Sequence, residues 1–170
     1  MMLYLIGMMG SGKSSVGSLL ANYLQIPLVD IDKEIEKDEK LPIIEIFKVK
    51  GEKYFRNIES EYLLKEKKSA VVSCGGGIIL IKKNRELLRT GGYTFYLKTS
   101  ISVLEKRLLR ANNRPLIDND HLKESLTNIY NKRKSLYTAA AHSIIATDEI
   151  SVKEVCELIL KKLKVEKIYC

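Results

Sequence analysis

Hydrophobic residues along this chain fall into short solid runs separated by longer stretches in which they recur every three or four positions. Runs bounded by turn residues suit strands buried on both faces, and the longer period marks one face of a helix. Leu3-Tyr4-Leu5-Ile6 reads as a first strand, followed by a helix carrying Val16, Leu19, Leu20, Tyr23 and Leu24. Ile26-Pro27-Leu28-Val29 leads into Asp30-Ile31-Asp32, a second strand ending in carboxylates, and a charged helical stretch follows. Pro42 suits a helix start, Ile43, Ile44 and Phe47 follow it, and Gly51 is its stop. The next helix turns Phe55, Ile58 and Tyr62 to one side. Ala70-Val71-Val72-Ser73 makes a third strand that closes on Gly75-Gly76-Gly77. A helix from Lys82 to Arg89, the turn Gly91-Gly92, a strand from Tyr93 to Leu97 and a helix from about Ser102 come next. A long helix from Leu122 to Ala141, a fifth strand from Ser143 to Ala146 and a last helix complete the pattern. That last helix carries Val152, Val155, Cys156, Ile159, Leu160 and Leu163 in one stripe. Repeated β–α alternation predicts an α/β fold with a parallel sheet covered on both faces. Such sheets bind ligands at the carboxyl ends of their strands.

The first strand end carries the most specific chemistry. Gly7-Met8-Met9-Gly10-Ser11-Gly12-Lys13-Ser14 satisfies G-x-x-x-x-G-K-[ST] at every fixed position, between a strand and a helix as the motif requires. Successive backbone N–H groups in such a loop form a concave anion nest at the positive end of a helix. Lys13 places a point charge on the β- and γ-phosphates, and the Ser14 hydroxyl can join a Mg²⁺ shell. This is a nucleotide-phosphate site.

Composition narrows the rest. The chain has 170 residues, enough for one well-formed core, and no linker, repeat or boundary divides it, so residues 1–170 are expected to form a single domain. Its 45% hydrophobic and 29% charged content is ordinary for a soluble protein, and no apolar run approaches a membrane span. The apolar N-terminus lacks a basic leader and runs straight into the phosphate loop, so a cytoplasmic location is expected. Cys74, Cys156 and Cys170 lie far apart, which suggests neither a disulfide framework nor a zinc site. The net charge of +8 raises the question of nucleic acid. It comes from 22 lysines against 7 arginines, mostly on exposed helix sides, without a recognition motif or an aromatic-interleaved basic stripe. A positive field serves small polyanionic substrates equally well, and neither nucleic acid nor membrane is expected as a partner.

Two further features bear on an acceptor. Asp30 and Asp32 lie two apart and would share a face in extended chain. Asp30 could then hold Mg²⁺ directly or through water, and Asp32 could orient and deprotonate a hydroxyl; alternatively Asp32 caps the following helix. In the long helix Leu126, Ile129, Tyr130, position 133 and Tyr137 form one inward face, and position 133 is arginine. A guanidinium there needs an anionic partner, either a protein carboxylate or a substrate group. The triple glycine suggests backbone brought close to a ligand.

Taken together in order, these residues resemble the shikimate kinase family along nearly the whole chain. The matching stretches are the phosphate loop, Asp30-Ile31-Asp32 with Ile35-Glu36, Gly51-Glu52 with Phe55-Arg56 and Glu59, Ser73-Cys74-Gly75-Gly76-Gly77, Arg114-Pro115-Leu116, and Arg133 with Leu136-Tyr137. The resemblance implies a P-loop, nucleoside-monophosphate-kinase-like fold: three α/β/α layers, a five-stranded parallel sheet, a substrate-binding helical region at about 31–62 and a lid at about 109–121. It implies transfer of phosphate from ATP, with Mg²⁺, to the 3-hydroxyl of shikimate, a step toward chorismate and the aromatic amino acids, by a monomer. Asp32, Arg56, Gly76 and Arg133 would contact shikimate, with Asp32 on the 3-hydroxyl and both arginines on the carboxylate. Gly10, Ser11, Gly12, Lys13, Ser14 and Ser15 would wrap the phosphates, with Ser14 and Asp30 serving the metal. Arg114 would close from the lid, Arg107 would lie against adenine, and Phe47 with Phe55 would wall the substrate ring. Lys13, Asp32 and Arg114 would carry the catalysis. Other small-molecule P-loop kinases, such as gluconate kinase, share the loop, but Arg56, the triple glycine and Arg133 in order argue against them. A GTPase is disfavoured because no Asn-Lys-x-Asp signature occurs. Cys74 stands where threonine or another small residue is more frequent in the family, and the segment Thr147-Asp148-Glu149, which the resemblance would place against adenine, matches it weakly.

Overall fold

The computed structural model describes residues 1–65, 69–110 and 121–167. Its elements are β1 (Met2–Ile6), α1 (Lys13–Leu24), β2 (Leu28–Asp30), α2 (Ile31–Glu39), α3 (Ile43–Leu64), β3 (Ala70–Ser73), a 3₁₀ turn (Ile78–Leu80), α4 (Lys82–Thr90), β4 (Tyr93–Lys98), α5 (Ile101–Arg110), α6 (Leu122–Ala140), β5 (Ser143–Ala146) and α7 (Val152–Val165). The five strands form one sheet in the order β2-β3-β1-β4-β5, and every pairing is parallel.

Strand alternation divides the interior into two cores. Leu3 and Leu5 point to one face of the sheet with Val71, Phe95, Leu97 and Ile145, where Val16, Leu20 and Leu24 of α1 and Val155, Ile159 and Leu163 of α7 cover them. Tyr4, Ile6, Val72 and Tyr96 point the other way and meet Ile35, Ile46, Phe55, Leu88, Leu104, Leu126 and Tyr137 from α2 to α6. Three layers result. Each fully buried leucine or isoleucine contributes about 1.5–3 kcal/mol relative to exposure. The sheet edge that carries the site is therefore held from both sides.

The structure differs from the sequence reading in four places. The second strand ends at Asp30 and α2 begins at Ile31, so Asp30 and Asp32 do not share an extended face. Asp30, not Asp32, is the N-cap, with Oδ1 accepting from Lys33 N at 3.4 Å. Gly51 does interrupt the helix (φ 83°, ψ 163°), yet the flanking segments run on as one element from Ile43 to Leu64 with a kink. The apolar stripe of α7 starts at Val155, because Val152 is 38% exposed at the rim of the site.

Candidate active site

The phosphate loop takes its shape from glycines in conformations that L side chains rarely adopt: Gly10 has φ 79°, and Gly12, the N-cap of α1, has φ 94°. Gly12 brings no capping side chain, which leaves the first N–H groups of α1 to face an anion. Lys13 is buried and its Nζ donates to the carbonyls of Gly7 (3.0 Å) and Met8 (2.9 Å), which folds the side chain back along the loop. Ser14 Oγ donates to Asp30 Oδ2 at 2.6 Å and lies 3.5 Å from Ser73 Oγ. Ser11 turns its buried hydroxyl inward beside Gly7, where an added Cβ would lie 2.9 Å from it, so Ser11 offers a phosphate its backbone rather than its side chain. Ser15 is exposed on the cavity wall.

Across the cavity lie α2 and α3. Asp32, in the first turn of α2, lines the cavity, as do Phe47, Phe55 and Arg56 of α3. The Arg56 guanidinium stacks near both rings, 5.7 Å from Phe47 and 5.2 Å from Phe55. Its Nη1 donates to Glu59 Oε2 at 2.7 Å, while Nε and Nη2 reach Glu52 Oε1 at 3.3 and 3.2 Å. Glu59 is fully buried, and its Oε1 makes no hydrogen bond among the described residues. Desolvation pushes its carboxyl up to about 7, against the opposing pull of Arg56 and with a further rise from Asp32.

The triple glycine is explained by close approach. A Cβ on Gly75 would collide with Glu59 Oε1 and with Asp32 Oδ1, and one on Gly77 would collide with the Arg56 guanidinium. Gly76 has ordinary clearance, and what is used there is its carbonyl. It accepts from Tyr137 Oη at 2.5 Å and from Arg133 Nη1 at 3.2 Å. The inward arginine of α6 thus donates to a backbone carbonyl, a partner that charge pairing alone did not suggest, and its charge also reaches Glu59. Burial pushes Tyr137 up to about 12, so its hydroxyl stays a donor.

At the far end of the cavity Arg107 of α5 donates from Nη2 to the carbonyl of Thr147 at 2.8 Å and from Nη1 to that of Gly10 at 3.5 Å. Thr147 is buried against Thr99, their hydroxyls 2.6 Å apart. The N-terminus of α7, fixed by a capping box between Ser151 and Glu154, brings Ser151, Val152 and Val155 to the same wall. One cavity of about 940 Å³ joins all of this, from Arg107 and Thr147 over the phosphate loop to Asp32, Arg56, Gly76 and Arg133. A nucleotide and a small polar acceptor fit side by side in such a cleft.

Comparison with known proteins adds the family. A family model described as shikimate kinase matches residues 9–164. The chain belongs to the shikimate kinase family. A shikimate kinase of Dehalococcoides mccartyi is 44% identical over 162 residues, covering 94% of this chain and 92% of the relative. One from Thermodesulfovibrio yellowstonii is 40% identical over 160 residues, covering 93% and 92%. Among solved structures, the shikimate kinase from Acinetobacter baumannii in complex with shikimate superposes with a TM-score of 0.91 at 33% identity, over 99% of this chain and 95% of that one. The Aquifex aeolicus shikimate kinase gives 0.82 at 35% identity over the whole of both chains. A deoxyadenosine kinase from M. mycoides, at 18% identity and 0.61, shares the fold.

Members of the shikimate kinase family are phosphotransferases, and the five-stranded α/β architecture expected from the sequence is the one this chain adopts. Of the residues expected to act, the structure brings Gly10, Ser11, Gly12, Lys13, Ser14, Ser15, Asp32, Arg56, Gly76, Arg107 and Arg133 to one cavity, with Asp30 behind Ser14. Arg114 and most of the expected lid lie outside the described residues. Sequence reasoning gave no role to Glu59, although its position three residues after Arg56 on a helix was a usable signal. It singled out the Thr147-Asp148-Glu149 segment only by a weak family match and named no contact residue there, because the Thr147 carbonyl that accepts from Arg107 has no motif to mark it.

Proposed function

We propose that this chain transfers the γ-phosphoryl group of ATP to the 3-hydroxyl of shikimate, with Mg²⁺, giving shikimate 3-phosphate and ADP. The observation that carries the reading is the continuity of one cavity from the phosphate loop to Asp32, Arg56 and Arg133, in a chain of the shikimate kinase family. The acceptor oxygen attacks the γ-phosphorus, its proton passes to the Asp32 carboxylate, and the bond between the γ-phosphorus and the β–γ bridging oxygen breaks to release ADP. Arg56 and Arg133 hold the shikimate carboxylate through planar forks, which orients the ring against Phe47 and Phe55. Lys13 exchanges its two loop carbonyls for phosphate oxygens, and Arg107 with the Thr147 segment borders the adenine.

Ser14 Oγ and Asp30 Oδ2, 2.6 Å apart at the phosphate loop, fit Mg²⁺, which takes hard oxygens and few protein ligands beside phosphate and water. No cluster of three His, Cys, Asp or Glu among the described residues forms a self-sufficient metal cage. Mg²⁺, when bound, offsets charge on the phosphate oxygens. Residues 31–62 form the acceptor-binding region, and Arg114, outside the described residues, supplies positive charge to the phosphates. The chain acts as a cytoplasmic monomer and binds no nucleic acid.

Coupled measurement of ADP release tests the reading. Release should be rapid with shikimate and near background with gluconate or with no acceptor. Equal rates with and without shikimate would overturn it.

A further inference from the structure

Tyr137 is among the largest fully buried side chains of the molecule, and it is polar at its tip. Its ring stacks on Tyr96 with centroids 5.0 Å apart and planes inclined by 16°. Its hydroxyl donates to the Gly76 carbonyl at 2.5 Å and lies 3.8 Å from the sulfur of Met8, a buried residue of the phosphate loop. A Cβ on Gly76 would lie 3.6 Å from Gly7 O and from Met9 N, so the glycine turn rests on the start of that loop. Tyr137 therefore stands under the junction of the donor and acceptor sides.

A buried hydroxyl without a partner is costly, and here the partner is one carbonyl of the turn that borders the acceptor. The Gly76–Gly77 peptide is trans, as are all peptide bonds among the described residues. Its N–H therefore points opposite to the carbonyl that Tyr137 holds. Arg133, one helical turn before Tyr137 on α6, donates to the same oxygen. Two donors on one carbonyl fix the peptide plane and polarise its N–H.

We propose that Tyr137 is a positioning residue for the acceptor: its hydroxyl locks the Gly76–Gly77 peptide and so sets the affinity of the site for shikimate. This rests on the proposed acceptor. The effect falls on the acceptor rather than the nucleotide, because the short bond goes to Gly76, whereas the contact to the phosphate loop is a long one to a weak thioether acceptor.

Tyr137→Phe keeps the stacked ring and removes only the hydroxyl. Calorimetric titration without nucleotide should show the shikimate dissociation constant rising about fivefold, the usual worth of one such bond, with ADP binding changed less than about twofold. Amide hydrogen exchange at Gly76 and Gly77 should quicken. Tyr96→Phe, which removes a buried hydroxyl from the ring stacked on Tyr137, should leave shikimate binding unchanged. Wild-type shikimate affinity in Tyr137→Phe, an equal loss of shikimate and ADP binding, or an equal loss in Tyr96→Phe would overturn the proposal. If wild-type protein bound no shikimate, the proposed acceptor would fall, and exchange at the two glycine amides, unaltered in Tyr137→Phe, would overturn the positioning role by itself.

Discussion

At the residue scale, Glu59 carries the strongest electrostatic consequence in the site. Its carboxyl is fully buried, with one oxygen on Arg56 and the other making no hydrogen bond among the described residues, and it holds its proton up to about 7. In the unfolded chain it releases that proton near 4.5. The folded state therefore binds more protons between these values. The stabilising contribution is fully present below about 4.5 and declines as pH rises through about 7. The loss is on the order of 3 kcal/mol. Urea unfolding at pH 5 and pH 8 should show it, and Glu59→Gln, which is neutral throughout and still offers Arg56 an acceptor, should flatten the difference. An identical pH dependence in the two proteins would show that Glu59 titrates normally. The two aspartates divide differently. Asp30→Asn preserves a good N-cap for α2 but weakens the oxygen set beside Ser14, so the Mg²⁺ concentration for half-maximal rate should rise. Asp32→Asn should bind ATP normally and lose turnover by about 10²-fold or more, the worth of a positioned base. Matching Mg²⁺ titrations for the two variants would end that division.

At the element scale, most of the molecule was legible because burial writes its period into the chain. The five strands and the buried faces of α1, α6 and α7 follow from residues such as Leu3, Leu20, Leu126 and Ile159, each of which has no other place to go. The phosphate loop was legible for a different reason: its backbone needs glycine and its ligand needs Lys13. Boundaries were less so. A strand of only three residues, Leu28–Asp30, cannot display a period, and the switch into α2 is set by the Asp30 cap and by packing of Ile31 and Ile35. The Arg56–Glu59 pair lies three residues apart on α3 and spacing could have suggested it, whereas the Tyr137–Gly76 bond joins segments whose approach depends on tertiary packing, which spacing does not show. Gly51 shows what a single position does to an element. Nothing lies within 4 Å of where its Cβ would be, so space is available, but φ 83° with ψ 163° is a conformation that belongs to glycine. Gly51→Ala should therefore cost about 1–3 kcal/mol or re-aim the two halves of α3. Since Phe47 precedes the kink and Arg56 follows it, thermal melting should fall and the KM for shikimate should rise, with ATP affinity unaltered. Unchanged melting and unchanged KM would mean that the kink carries no constraint.

At the scale of the whole molecule, both proposed ligand sites hang on the carboxyl edge of one sheet, but they draw on different elements. The nucleotide side uses β1, α1, α5 and the start of α7; the acceptor side uses α2, α3, the turn after β3, and α6. Both cores share β1, β3 and β4, so the chain should unfold as one cooperative unit while each ligand stabilises it separately. A ligand at a hundred times its dissociation constant adds about 2.7 kcal/mol, which for a domain of this size raises the melting temperature by about 5–10 °C. ADP and shikimate should each give such a rise in wild-type protein. Lys13→Ala should lose most of the ADP-induced rise and keep the shikimate-induced one, because its proposed role is on the phosphates and its observed bonds stay within the phosphate loop. Arg133→Lys should do the reverse: the charge remains but the fork on the substrate carboxylate is lost, and shikimate should bind about tenfold or more weakly. The ligand-free melting temperature decides what Arg133 is for. Its observed partner is the Gly76 carbonyl, which a lysine ammonium can also satisfy, so that temperature should barely change. A strongly lowered ligand-free melting point with a full shikimate-induced rise would make Arg133 a structural tie between α6 and the glycine turn, and would leave Arg56 alone on the acceptor.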